Sequence, residues 1–150
     1  KDFGGMGYMV DGVPYFYNDS VKCHTTETEF DVSSLKELPK VGVAYFTIDA
    51  DPEILDYYKE SGVQGIVIAG AGSGCYSEQW NNKIDELAET GIPVVRCSRI
   101  GSGVITQDDY FIGNIARGND LAPQKAATLL RLILTVTNDI EQVQNMFDKY

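Results

Sequence analysis

The chain has 150 residues, of which 43% are hydrophobic and 23% charged, the ordinary make-up of a globular domain with its own core. Its formal net charge of −10 argues against nucleic acid as a partner, because phosphate binding needs clustered Lys and Arg. No stretch is long or apolar enough to span a bilayer, so no membrane partner is expected. Cys23, Cys75 and Cys97 are an odd, widely spaced set, which is not a disulfide framework. They also lack metal-ligand spacing, with His24 as the single histidine, so neither a metal nor a cofactor is expected. The first residue is Lys1 rather than Met, which points to an engineered start, a processed chain or a proteolytic fragment.

In chain order, residues 6–10 and 13–17 are two β-prone runs joined by Asp11-Gly12, a strong hairpin signal. A polar stretch without periodicity, 18–28, leads through Phe30-Asp31-Val32-Ser33-Ser34-Leu35 to Pro39, which reads as an extended connector. Residues 41–46 form a short apolar run of the kind found in buried parallel strands. Asp51-Pro52 is an N-cap followed by Pro at the first helical position, with Ile54, Leu55 and Tyr58 on one face. Residues 65–69 are a second buried strand. After a glycine-rich loop, Trp80, Ile84, Leu87 and Ala88 recur at helical spacing up to Gly91, and 93–97 are a third strand. The segment 99–121 carries four glycines and few helix signals. Pro123 opens the strongest helix, with Ala126, Leu129, Leu130, Ile133 and Leu134 as its apolar face. Asp139 starts a last helix that puts Val143, Met146 and Phe147 on one side. The expected fold class is therefore α/β, a small parallel sheet flanked by helices and preceded by a β-hairpin and linker.

Ligands of such sheets bind outside the carboxyl ends of the strands, which directs attention to the loops 70–77 and 98–110. The first contains Gly70, Gly72 and Gly74 at alternate positions around Ser73. A dinucleotide fingerprint needs G-x-G-x-x-G. Counted from Gly70 the third glycine would be Cys75, and counted from Gly72 it would be Ser77. The glycines still allow positive φ and close approach of a ligand or another segment, so a ligand loop and a plain tight turn both stay open. In the second loop, Arg96 and Arg99 could hold a carboxylate or pair with Asp108 and Asp109. Structural support is the reading preferred for Arg96, which lies within the strand. No G-x-S-x-G elbow is present, and His24 is remote from both loops. Cys97 closes an apolar run and reads as a core thiol.

Several segments resemble one family in collinear order. Phe30-Asp31-Val32-Ser33 with Glu37-Leu38-Pro39-Lys40-Val41 is similar to the linker and first C-domain strand of bacterial type II L-asparaginases, of the asparaginase/glutaminase family. Gly65-Ile66-Val67 with Ala69-Gly70-Ala71-Gly72-Ser73-Gly74 resembles the next strand and loop. Pro93-Val94-Val95-Arg96 with Ser98-Arg99, Pro123-Gln124-Lys125-Ala126, and Gln144-Asn145-Met146-Phe147 to Tyr150 match in the same way.

The resemblance implies hydrolysis of L-asparagine, and in some members L-glutamine, to the acid and ammonia. A threonine hydroxyl is the nucleophile, in N-terminal motifs T-G-G-T and H-G-T-D. Neither motif occurs in this chain, so it supplies no catalytic residue and is expected to be inactive alone. Residues 1–28 would end the N-terminal domain, 29–40 would be the linker and 41–150 the C-terminal α/β domain. The C-terminal domain of a neighbouring subunit completes the site in this family, which implies a homo-oligomer and an N-terminal domain as partner. On that pattern the substrate-binding residues are Ser73 and an acidic residue after Thr106-Gln107-Asp108, supported by Gly70, Gly72 and Gly74. The usual Glu is missing, and Asp109 or Asp108 stands nearest. Ala122 replaces a more usual Asn cap. The type II branch implies the periplasm or secretion, while three cysteines without a disulfide pattern point the other way, to the cytoplasm. Two readings of another class remain beside this one: a stand-alone amino-acid-binding module and a structural α/β module.

Overall fold

In a computed structural model the described residues are 4–111 and 113–150. Strands β1 (Gly7–Val10) and β2 (Val13–Phe16) form the expected hairpin, with Val10 opposite Val13. Asp11 and Gly12 take φ of 49° and 81°, the left-handed pair that a two-residue turn between twisted strands requires. Apart from Gly7, every residue of the two strands is exposed.

The main sheet is wholly parallel, in the order β3 (Val41–Tyr45), β4 (Gly65–Gly70), β5 (Val94–Ser98) and β6 (Ile115–Arg117). The helices are α1 (Ile54–Glu60), α2 (Glu78–Ala88), α3 (Pro123–Ile133) and α4 (Ile140–Lys149). Side chains of period 2 divide the core in two. Ile66, Ile68 and Val94 face Leu55, Trp80, Ile84 and Leu87 of α1 and α2. Val67, Val95, Cys97 and Ala116 face Ala126, Leu130, Ile133, Val143 and Phe147 of α3 and α4. All six residues of β4 are buried, which explains its continuous apolar run: a strand covered on both faces has no solvent side to alternate with.

Three local expectations need correction. Helix α1 starts at Ile54, not next to Asp51. Asp51 Oδ1 instead accepts the Glu53 N–H at 3.0 Å and closes a turn that precedes the helix. Ile54 lies outside the buried face, at 41% exposed, and Leu55 and Tyr58 make the contact. The segment after Arg99 contains a strand, β6, which three residues and flanking glycines did not announce. It is set by pairing with β5, Ile115 opposite Val94 and Arg117 opposite Arg96, and by Gln144, whose Oε1 accepts the Arg117 N–H at 2.7 Å. The connector is tied down at Phe30, which packs on the second core cluster and lies 5.0 Å from the Tyr150 ring. Beside it, Glu29 pairs with Lys149.

Candidate functional site

Because the strands are neighbours in sequence order, the loops leaving the carboxyl ends of β4 and β5 lie side by side. The first is a tight excursion: Ala71 and Cys75 exchange both backbone hydrogen bonds, at 2.8 and 2.7 Å, leaving Gly72-Ser73-Gly74 at the tip. Two glycines are needed here for different reasons. A Cβ on Gly70 would lie 2.3 Å from the backbone carbon of Gly74, so the loop can fold back only over a bare Cα. Gly74 has φ +84° and rests against the Arg96 stem and Ile105.

The carbonyls of this loop are taken up by the end of β5. The Arg99 N–H donates to Gly70 O at 2.8 Å, the Ser98 hydroxyl donates to Gly72 O, and Arg96 Nη1 donates to Ser73 O at 2.9 Å. The Ser73 side chain is exposed, and among the described residues its hydroxyl has no protein partner. A backbone held from behind with a hydroxyl presented to solvent suits the recognition of a polar ligand group.

Arg96 reaches the second loop as well. Its Nη2 donates to Thr106 O at 2.8 Å, and its guanidinium lies 4.1 Å from the centre of the Phe111 ring. The residue is 3% exposed. Burial lowers its pKa from the ordinary value, while Tyr76, Cys75 and Asp108 work in the opposite direction. Structural support is thus the role of Arg96, but through carbonyls: among the described residues no carboxylate lies within ion-pair distance of it. Arg99 likewise donates to a carbonyl, that of Phe46, at 2.6 Å.

Asp108 is exposed, and its Oδ1 accepts the Tyr110 N–H at 2.9 Å, which leaves the other oxygen for a ligand. Asp109 begins a 3-10 turn, Asp109–Phe111; its side chain lies outside the described residues. Cys97 is fully buried, and burial pushes its thiol up to about 12, so it is a core residue and no nucleophile. His24 is exposed. One polar group was not foreseen. Among the described residues the Tyr76 hydroxyl, Asn81 Oδ1 and Asp85 Oδ1 are buried without a hydrogen-bond partner; the Tyr76 ring lies 4.9 Å from that of Phe111. Asn81 and Asp85 share the helix face that their i, i+4 spacing defines. That spacing could have disclosed the pair, though not its burial.

Residues 40–147 match the family model described as Glutaminase/Asparaginase C-terminal domain. The chain belongs to this family. L-asparaginase 2 of Bacillus subtilis (strain 168) is 38% identical over 151 residues, which cover 100% of this chain and 40% of that protein. L-asparaginase 2 of Escherichia coli (strain K12) is 39% identical over 153 residues, covering 99% and 44%. A solved structure, a probable cytoplasmic L-asparaginase from Campylobacter jejuni, superposes with a TM-score of 0.92 at 38% identity. That match covers 99% of this chain and 49% of that one. The chain therefore spans about half or less of the relatives it matches, and corresponds to their C-terminal part. Family membership fits the collinear motifs of the sequence, the parallel sheet and the hairpin that precedes it.

Proposed function

We propose that this chain is the substrate-side half of an amidohydrolase that converts L-asparagine to L-aspartate and ammonia. Its two carboxyl-end loops bind the amino-acid end of the substrate. The observation that carries the reading is the Ser73 hydroxyl, exposed on a loop whose backbone is fixed through Gly70, Gly72 and Ser73 carbonyls. The second loop, through Asp108 or Asp109, is the proposed source of the negative charge that an α-ammonium group requires. Asp is one methylene shorter than the Glu of the family pattern, so the loop backbone must bring it closer.

The chemistry lies outside these residues. The chain contains neither T-G-G-T nor H-G-T-D. A threonine hydroxyl of an N-terminal domain would attack the side-chain amide carbon, ammonia would leave with the transferred proton, and water would cleave the acyl-enzyme ester. In this reading residues 1–28 end that N-terminal domain, 29–40 link, and 41–150 form the C-terminal domain. A second subunit of the same protein brings the two halves of a site together. L-Glutamine is the alternative substrate, and export to the periplasm or beyond is the inferred location; the Campylobacter relative is described as probably cytoplasmic.

The test fuses this chain to the N-terminal part of the Bacillus subtilis relative. Ser73→Ala should raise KM for L-asparagine roughly ten- to a hundredfold with kcat little changed, as expected for losing one hydrogen bond to a charged group, about 1.5–3 kcal/mol. An unchanged KM would remove Ser73 from the substrate site.

A further inference from the structure

We propose that Arg96 is the positioning residue of this half-site: one buried guanidinium sets the spacing between the loop that carries Ser73 and the loop that carries Asp108 and Asp109. The inference rests on reading those loops as the substrate pair. Its geometric basis is independent of that reading.

A guanidinium is a rigid planar fork, so two acceptors bonded to different nitrogens are held at a fixed separation and angle. Here the acceptors are Ser73 O, at 2.9 Å, and Thr106 O, at 2.8 Å, one from each loop. The fork is itself held. It is 3% exposed, stacks on Phe111, and its stem passes against Gly74, where any Cβ would stand 3.1 Å away. Each loop also has a backbone tie at its base. Gly70 O accepts from Arg99 N–H, and Ile105 N–H donates to Asn119 O at 3.0 Å. Arg96 bonds both loops at once. Thr106 is two residues before Asp108, so a change in the fork is passed along a short stretch of backbone to the Asp108 carboxylate. A binding site tolerates only about 0.5 Å of such movement. No reacting group lies in this chain, so the consequence is loss of substrate affinity rather than of chemistry.

Arg96→Lys keeps the charge and removes the fork. Hydrogen exchange on the 150-residue chain should show residues 70–77 and 104–111 losing protection together, while β4 and α3 keep theirs. In the fused enzyme the same substitution should raise KM about tenfold, equal to about 1.4 kcal/mol, with kcat within about twofold. Should Arg96→Lys fail to fold, Phe111→Leu strips the stacking ring but leaves both hydrogen bonds, and the two loops should loosen together to a smaller extent. Loosening of one loop alone, of neither, or of the whole chain uniformly would overturn the proposal, as would a fall in kcat at constant KM. The joint loosening is read without substrate, so an unchanged KM in Ser73→Ala would sink the substrate reading and leave the bracing role standing.

Discussion

Arg96 and Asp85 are both ionisable groups on the α1–α2 side of the sheet, and they fare differently. The arginine finds two carbonyls and a ring. Asp85 finds one partner, the Asn81 amide, which donates to its Oδ2 at 3.1 Å. Its Oδ1 is buried, with no partner among the described residues. Burial, and secondarily Glu89, raises the Asp85 pKa above its ordinary value. The folded protein therefore holds the Asp85 proton more tightly than the unfolded chain, and stability falls as pH rises through the raised value. Asp85→Asn removes the charge and can also donate to the orphaned Asn81 Oδ1. The variant should melt higher than the parent at pH 7, with the gap closing as pH drops below about 4, the ordinary carboxylate range. Calorimetry across that range checks it, and a lower Tm at pH 7 would contradict it. Sequence reading placed Arg96 in a supporting role from its position inside an apolar strand. It could not show which groups Arg96 supports, because Ser73 and Thr106 meet it only after the sheet has brought three segments together.

Among the helices, caps separate what was legible from what was not. Asp139 was readable as a cap and is one, accepting the Gln142 N–H at 3.0 Å. Asp51-Pro52 has the same signature yet caps only a preceding turn. The difference lies in where Leu55 and Tyr58 must sit to cover β3: Tyr58 stacks over Gly42 and its hydroxyl reaches Val43 O at 2.8 Å. Strand β6 was invisible for a related reason, since three residues carry no period of their own and the pairing with β5 defines them. Helix α3 shows a missing cap outright. Ala122 has φ −63° and ψ 150°, a suitable N-cap backbone, but no side-chain bond is made. Ala122→Asn should stabilise the chain by about 1 kcal/mol, read as a higher urea midpoint at unchanged m-value. An unchanged midpoint would mean that water already serves the first turn equally well.

At the scale of the whole molecule, the α/β class was readable because strands buried on both faces leave continuous apolar runs, and because α2, α3 and α4 carry apolar residues at helical spacing. The hairpin was readable from Asp11-Gly12 between two β-prone runs. Its exposure was not: Tyr8, Met9, Phe16 and Tyr17 are all at least 70% exposed, large apolar side chains grouped on one small hairpin, as at interaction surfaces. The half-site proposal requires such a surface, because the hairpin would then lie against the N-terminal domain. The most direct measurement is ammonia release from L-asparagine. The pure 150-residue chain should release none, and the same chain fused to an N-terminal domain bearing both motifs should release it in proportion to enzyme. Turnover by the isolated chain would contradict the half-site account.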